Sequence, residues 1–91
     1  MVRSGNHPDK VKGLMDNNTF FSLVEQELRT ARAKHPPMHS AHEGYAIILE
    51  EVDELKAEVW KNGSARDPER MRAELIQIAA MCARMADDLD L

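Results

Sequence analysis

The stretch Ser40-Ala41-His42-Glu43-Gly44-Tyr45-Ala46-Ile47-Ile48-Leu49-Glu50-Glu51-Val52-Asp53-Glu54-Leu55 decides the fold. Ser40 followed three residues later by Glu43 is a capping-box signature. The serine oxygen accepts the Glu43 N–H, and the glutamate is expected to reach back to the N–H of Ser40. Tyr45, Ile48, Val52, Leu55 and Val59 then recur at helical spacing, flanked by Leu49. Asn62-Gly63-Ser64 is a stop and turn signal, so this helix is expected to end near Lys61.

Helices are expected on both sides of this one. Downstream, Asp67 suits an N-cap, Pro68 suits the first helical position, and Glu69 suits the positive end of the dipole. The apolar stripe there is Met71, Leu75, Ile78, Cys82, Met85 and Leu89. Asp87, Asp88 and Asp90 carry the wrong charge for the end of a helix. Arg84 can pair with Asp88 at i,i+4, and a partner chain is expected to offset the remainder. Upstream, Phe20, Val24, Leu28 and Ala31 recur from about Asn17 or Asn18 to Lys34, with Phe21 widening the stripe. Glu25 and Arg29 form an i,i+4 pair. Pro36-Pro37 ends this helix, because the residue before a proline is pushed out of the α region.

Aromatic residues are scarce and β-branched residues never alternate with polar ones, which excludes a strand-based fold. The expectation is an all-α fold: an antiparallel bundle of three main helices, its core completed by oligomerisation. Residues 17–91 form the helical domain. Residues 1–16, without a firm period, are expected to be a flexible arm, with at most a turn of helix around Val11 to Met15.

The bulk properties bound the function. Ninety-one residues make one small domain, too short to bury a large core alone. Twelve basic and sixteen acidic residues give a net charge of −4. That disfavours a nucleic-acid backbone or an anionic membrane as partner, since both call for a basic face. A lone cysteine, Cys82, excludes an intramolecular disulfide. No apolar run spans a bilayer, and the first residues lack the apolar region of a signal peptide. A cytoplasmic location is the resulting expectation.

The acids carry the chemistry. At about 100° per residue, Glu51, Glu54 and Glu58 fall within roughly 60° of one another, on a flank of the apolar stripe. Glu50 lies a little further round, and Asp53 points elsewhere. Glu74 sits at the margin of the next helix's apolar arc, with Gln77 roughly 60° beyond it. Antiparallel packing through a short connection would face these flanks towards each other. A pair at i,i+3 on each helix then offers three carboxylates and one amide oxygen to a common point. Magnesium suits such a set, being a hard cation held by a few carboxylates together with water and phosphate oxygens. Glutamates on a solvated helix are ordinary. What distinguishes Glu74 is its place on a face otherwise expected to be buried, where an unpaired carboxylate is costly.

The run from His42 to Leu55, with Glu74-Leu75-Ile76-Gln77, resembles the MazG-like all-α nucleotide pyrophosphohydrolases, whose signature is E-E-x-x-E, a spacer, then E-x-x-D. Glu50, Glu51 and Glu54 match the first half, and Glu74 opens the second. Gln77 stands where aspartate is expected. The resemblance covers roughly residues 18 to 90, although only these few acids are specific to it. It implies Mg²⁺-dependent cleavage of a nucleoside triphosphate to the monophosphate and pyrophosphate, in a house-cleaning role, by a homodimer or homotetramer. By carry-over, Glu51, Glu54 and Glu74 would be metal ligands, with Gln77 in the fourth position. Glu50 would assist the attacking water or support the ligands. The rival reading is a helical oligomerisation or regulatory module that keeps the fold with a degraded site, as a neutral amide at position 77 would suggest.

Arg84 and Lys56 are the candidate phosphate contacts, against the ordinary alternative of solvated surface cations. Arg84 is favoured because it lies on the Gln77 side of its helix. Tyr45 and Trp60 are expected in core or subunit packing rather than stacked on a base, and Cys82 as a small buried hydrophobe. His39 and His42 straddle a helix start and read as capping or surface groups. No histidine follows a glutamate by three residues, so the Glu-x-x-His of di-iron bundles is absent.

Overall fold

The computed structural model describes residues 8–91, with side chains from Thr19 onward. Its elements are three α-helices, α1 (Pro8–Lys34), α2 (Ala41–Val59) and α3 (Pro68–Asp88), with a short 3-10 turn at Gly63–Ala65 before α3. No strand occurs among the described residues. None of the helices is long and apolar enough to cross a membrane.

The caps lie where the sequence puts them, with one change. Ser40 Oγ accepts the Glu43 N–H at 3.1 Å. The Glu43 carboxylate reaches one residue further back than a capping box requires, accepting the His39 N–H at 2.6 Å. At α3, Asp67 Oδ1 accepts from Glu69 N at 2.9 Å and Arg70 N at 3.4 Å, with Pro68 in the first turn. α2 ends at Val59 with Trp60 as its C-cap, slightly before the expected Lys61. α1 begins at Pro8 rather than near Asn17. The expected arm over residues 1–16 is therefore helical from Pro8 on, and residues 1–7 lie outside the described part.

α3 is the central helix: α1 and α2 each pack on it, without comparable contact between themselves. The core comprises Ala31 of α1, Met38 of the α1–α2 connection, and Ala80 and Met81 of α3, with Val24, Leu28, Ile47, Ile48 and Met85 packed against them. Alanines at the crossing let backbones approach closely, and Gly44 does the same for α2. A Cβ built on Gly44 would lie 2.7 Å from Met85 Cγ and Sδ.

The apolar stripes are only partly the buried ones. The α1 stripe holds: Phe20, Val24 and Leu28 are half-buried and Ala31 is buried. On α2, Ile48, Leu55 and Val59 are half-buried, whereas Tyr45, Leu49 and Val52 are exposed. On α3, Leu75 and Cys82 are exposed and the buried set is Ala80, Met81 and Arg84. The reason is geometric. α3 serves two neighbours, so its buried arc is centred between them rather than on its most apolar line. The expectation of a Cys82 buried within the chain is thus corrected: Cys82 is exposed, and of the two packings expected for Tyr45 and Trp60, the core of the single chain is not where they lie, since they are 65% and 74% exposed.

Two of the three aspartates at the end of α3 are paired within the chain. Arg32 of α1 meets Asp87 at 2.8 Å and Asp88 at 4.0 Å, and Arg84 meets Asp88 at 3.7 Å. Asp88 also accepts the Met38 N–H at 2.9 Å. Asp87 and Asp88 thus find their cations inside the chain.

Candidate metal centre

Glu51 projects from the middle of α2 and Glu54 lies nearly one turn on. Glu74 projects from α3 across the α2–α3 seam. One carboxylate oxygen from each falls within 4.8 Å of the others. The sequence therefore brings together the residues it nominated. Glu51 and Glu74 are half-buried and Glu54 is exposed, so the cluster opens to solvent on one side.

Electrostatics make this cluster costly as three bare carboxylates. Burial pushes the Glu51 carboxyl above its ordinary value, and the negative charges of Glu54, Glu74, Glu50 and Glu27 push it further. Burial is also the largest cause at Glu74, followed by Glu54. Glu58 adds to the rise and Arg70 opposes it. Glu54 and Glu74 are close enough to hydrogen-bond, but only if one of them carries a proton. As carboxylates neither donates, and Glu74 Oε1 is buried with no hydrogen-bond partner. A cation with hard-oxygen preference fits this donor set.

The other candidates are distributed differently. Glu50 and Gln77 line an open cleft of about 340 Å³ between α1 and α2, floored by α3. Glu51 and Arg84 line it as well. Gln77 is half-buried and Glu50 exposed. Arg84 is 4% exposed and donates to the Pro36 carbonyl at 3.0 Å, so its guanidinium holds the α1–α2 connection as well as Asp88. Lys56 lies over the Trp60 ring, 6.0 Å from its centroid, and does not line the cleft. Glu58 shares a flank with Glu51 and Glu54 in sequence, yet it pairs with Lys61 at 2.9 Å and Arg70 at 3.7 Å. Those contacts remove it from the cluster and join the end of α2 to the first turn of α3.

Sequence reading missed the contribution of α1. Glu27, Thr30 and Lys34 line the same cleft, and Glu27 adds negative potential at Glu51. The available signal was the adjacency of Glu27 to Leu28 in the α1 stripe, which places it at the edge of a buried face.

Compared with known proteins, the chain matches no family model, no curated protein and no solved structure.

Proposed function

We propose that this protein is a Mg²⁺-dependent nucleoside triphosphate pyrophosphohydrolase of MazG-like type, acting as a homo-oligomer in the cytoplasm. The observation that carries this reading is the convergence of Glu51, Glu54 and Glu74 within 4.8 Å across two helices, with a buried Glu74 oxygen lacking any partner. The Glu58–Arg70 and Gly44–Met85 contacts, at opposite ends of α2, support the antiparallel packing that the signature needs.

Glu51, Glu54 and Glu74 would hold the ion, which on binding supplies charge neutralisation for the phosphates and a more acidic water. Glu50, which lines the cleft with Glu51, would accept a proton from the attacking water. Gln77 offers an amide oxygen or N–H to the same space. Arg84 orders the cleft wall and presents positive charge to it, and Lys34 adds a second cation there. Phosphoryl transfer asks mainly for such positioning and charge compensation. Lys56, turned towards Trp60, has the weaker claim to a substrate contact.

The second reading, a regulatory or oligomerisation module with a degraded site, is favoured by one observation: the fourth position is the neutral Gln77. Pyrophosphate release from a panel of nucleoside triphosphates, with and without Mg²⁺, separates the two. The enzyme reading expects metal-dependent release that rises in Gln77→Asp. Absence of release from every triphosphate, in both the unaltered chain and Gln77→Asp, would leave the module.

A further inference from the structure

The cleft beside the acidic cluster is built in two tiers. Each helix supplies a pair of lining residues seven positions apart, one to each tier: Glu27 and Lys34 on α1, Glu43 and Glu50 on α2, Gln77 and Arg84 on α3. Seven residues of helix span roughly 10 Å, about the reach of a nucleoside from its 5′-phosphate to the far edge of its base. Arg84 donates to the Pro36 carbonyl, which sets it with Lys34 and His35 at the end bounded by the α1–α2 connection. Glu43, in the first turn of α2, belongs to this tier. Glu27, Glu50 and Glu51 belong to the other, where Glu27 adds negative potential at Glu51.

The tiers differ in charge. The acidic one is continuous, through Glu51, with Glu54 and Glu74. At the connection tier the formal charges cancel, Lys34 and Arg84 against Glu43 and Asp88. Arg84 is committed to Asp88 at 3.7 Å and to the Pro36 carbonyl. Glu43 turns back to the start of its own helix, its Oε1 accepting the His39 N–H at 2.6 Å. Lys34 joins no ion pair among the described residues, and an ammonium has donors but no acceptor. A tier without net charge anchors phosphate poorly, whereas a free donor suits a carbonyl oxygen. Between the tiers lies an apolar floor of Ala31, Ile47 and Met81. A flat heterocycle rests well on such a surface, and a thioether favours an aromatic ring. The volume of about 340 Å³ is near the lower bound for a ligand pocket, room for one nucleoside.

We infer that the nucleobase lies over Ala31, Ile47 and Met81 with its far edge at Lys34, and that Lys34 selects bases carrying a carbonyl there: guanine, uracil and thymine. Guanine O6 and the O4 of thymine or uracil are acceptors, whereas adenine N6 and cytosine N4 are amines. An amine set against the Lys34 ammonium opposes donor to donor, which rejects adenine and cytosine. This rests on the proposed pyrophosphohydrolase reading and adds to it a substrate class and the residue that sets it.

The test is calorimetric binding of the α,β-methylene analogues of GTP, UTP, ATP and CTP to the full chain with Mg²⁺, beside inorganic tripolyphosphate. The expected result is that the GTP and UTP analogues bind about tenfold more tightly than the ATP and CTP analogues, the scale of one hydrogen bond to a charged group. Lys34→Met should level that preference and leave tripolyphosphate affinity unchanged. If the variant fails to fold, the preference in the unaltered chain decides alone. Equal affinity for all the analogues would overturn the inference and leave the proposed function standing. So would a Lys34→Met loss on tripolyphosphate as large as on the nucleotides, since Lys34 would then hold phosphate. Binding of none of these ligands would remove the proposed function and the inference with it.

Discussion

The carboxylates of Glu51 on α2 and Glu74 on α3 approach within 4.8 Å of each other across a helix–helix seam, and both are pushed towards their protonated forms. Two acids held this way store repulsion that either protons or a cation can relieve. That relation makes the protein's stability depend on pH and, if the proposed function holds, on Mg²⁺ as well.

The sign of the pH effect follows from the direction of the shifts. Both groups have folded-state pKa values raised above the ordinary 4.5. The folded state therefore holds their protons more tightly than the unfolded chain does. Their contribution to stability is fully present below pH 4.5 and is lost as pH rises through the folded values. Without divalent ions, thermal midpoints should fall across that window. Glu51→Gln and Glu74→Gln should flatten the profile, and Mg²⁺ should do the same in the unaltered chain. Melting curves against pH, with and without Mg²⁺, check all three.

Arg84 ties α3 to the α1–α2 connection. It donates to Pro36 O at 3.0 Å and pairs with Asp88 at 3.7 Å, while Asp88 holds the Met38 N–H. Arg84→Met should destabilise the fold by about 1–3 kcal/mol, because it leaves the Pro36 carbonyl without its donor and Asp88 with only Arg32 and the Met38 N–H. Arg84→Lys should recover only part of this, since an ammonium cannot span both acceptors as a guanidinium does. Urea denaturation of the variants measures the loss.

Gly44 lies where α2 comes closest to Met85. Gly44→Ala gains up to about 1 kcal/mol in helix propensity but forces a Cβ to 2.7 Å from two Met85 atoms. Overpacking of this kind costs about 1–3 kcal/mol, so a net loss is expected. Combining it with Met85→Ala should show a favourable coupling energy in a double-mutant cycle.

The end of α3 holds a small reserve of stability. Asp90 has φ 59°, and the Leu91 N–H donates to Ala86 O at 2.9 Å, the pattern of a Schellman cap that favours glycine. Asp90→Gly removes both the left-handed strain and a negative charge at the helix C-terminus. A gain of about 0.5–1 kcal/mol is expected by thermal unfolding.

Local signals in this sequence were readable because they act over a few residues. Ser40 and Asp67 cap their helices through side-chain oxygens, and Pro36-Pro37 follows the end of α1. The three acids were readable too, since a fixed helical pitch places i,i+3 neighbours together and the motif supplied the spacing. Burial on α3 was not readable. Hydrophobicity marks Leu75 and Cys82, but the helix turns Ala80, Met81 and Arg84 inward because it is packed from two directions. No property of Arg84 alone announces that its guanidinium will hold the carbonyl of Pro36. The place of Glu27 was hidden for the same reason, as it depends on where α1 lies across α3.

The central claim is tested most directly by calorimetric titration of the intact protein with Mg²⁺ at neutral pH, beside Glu51→Gln and Glu74→Gln. The account predicts saturable binding in the unaltered chain that is lost in both variants while their helical content persists. Binding that survives in both variants unchanged, or none in the unaltered chain at millimolar Mg²⁺, would contradict it.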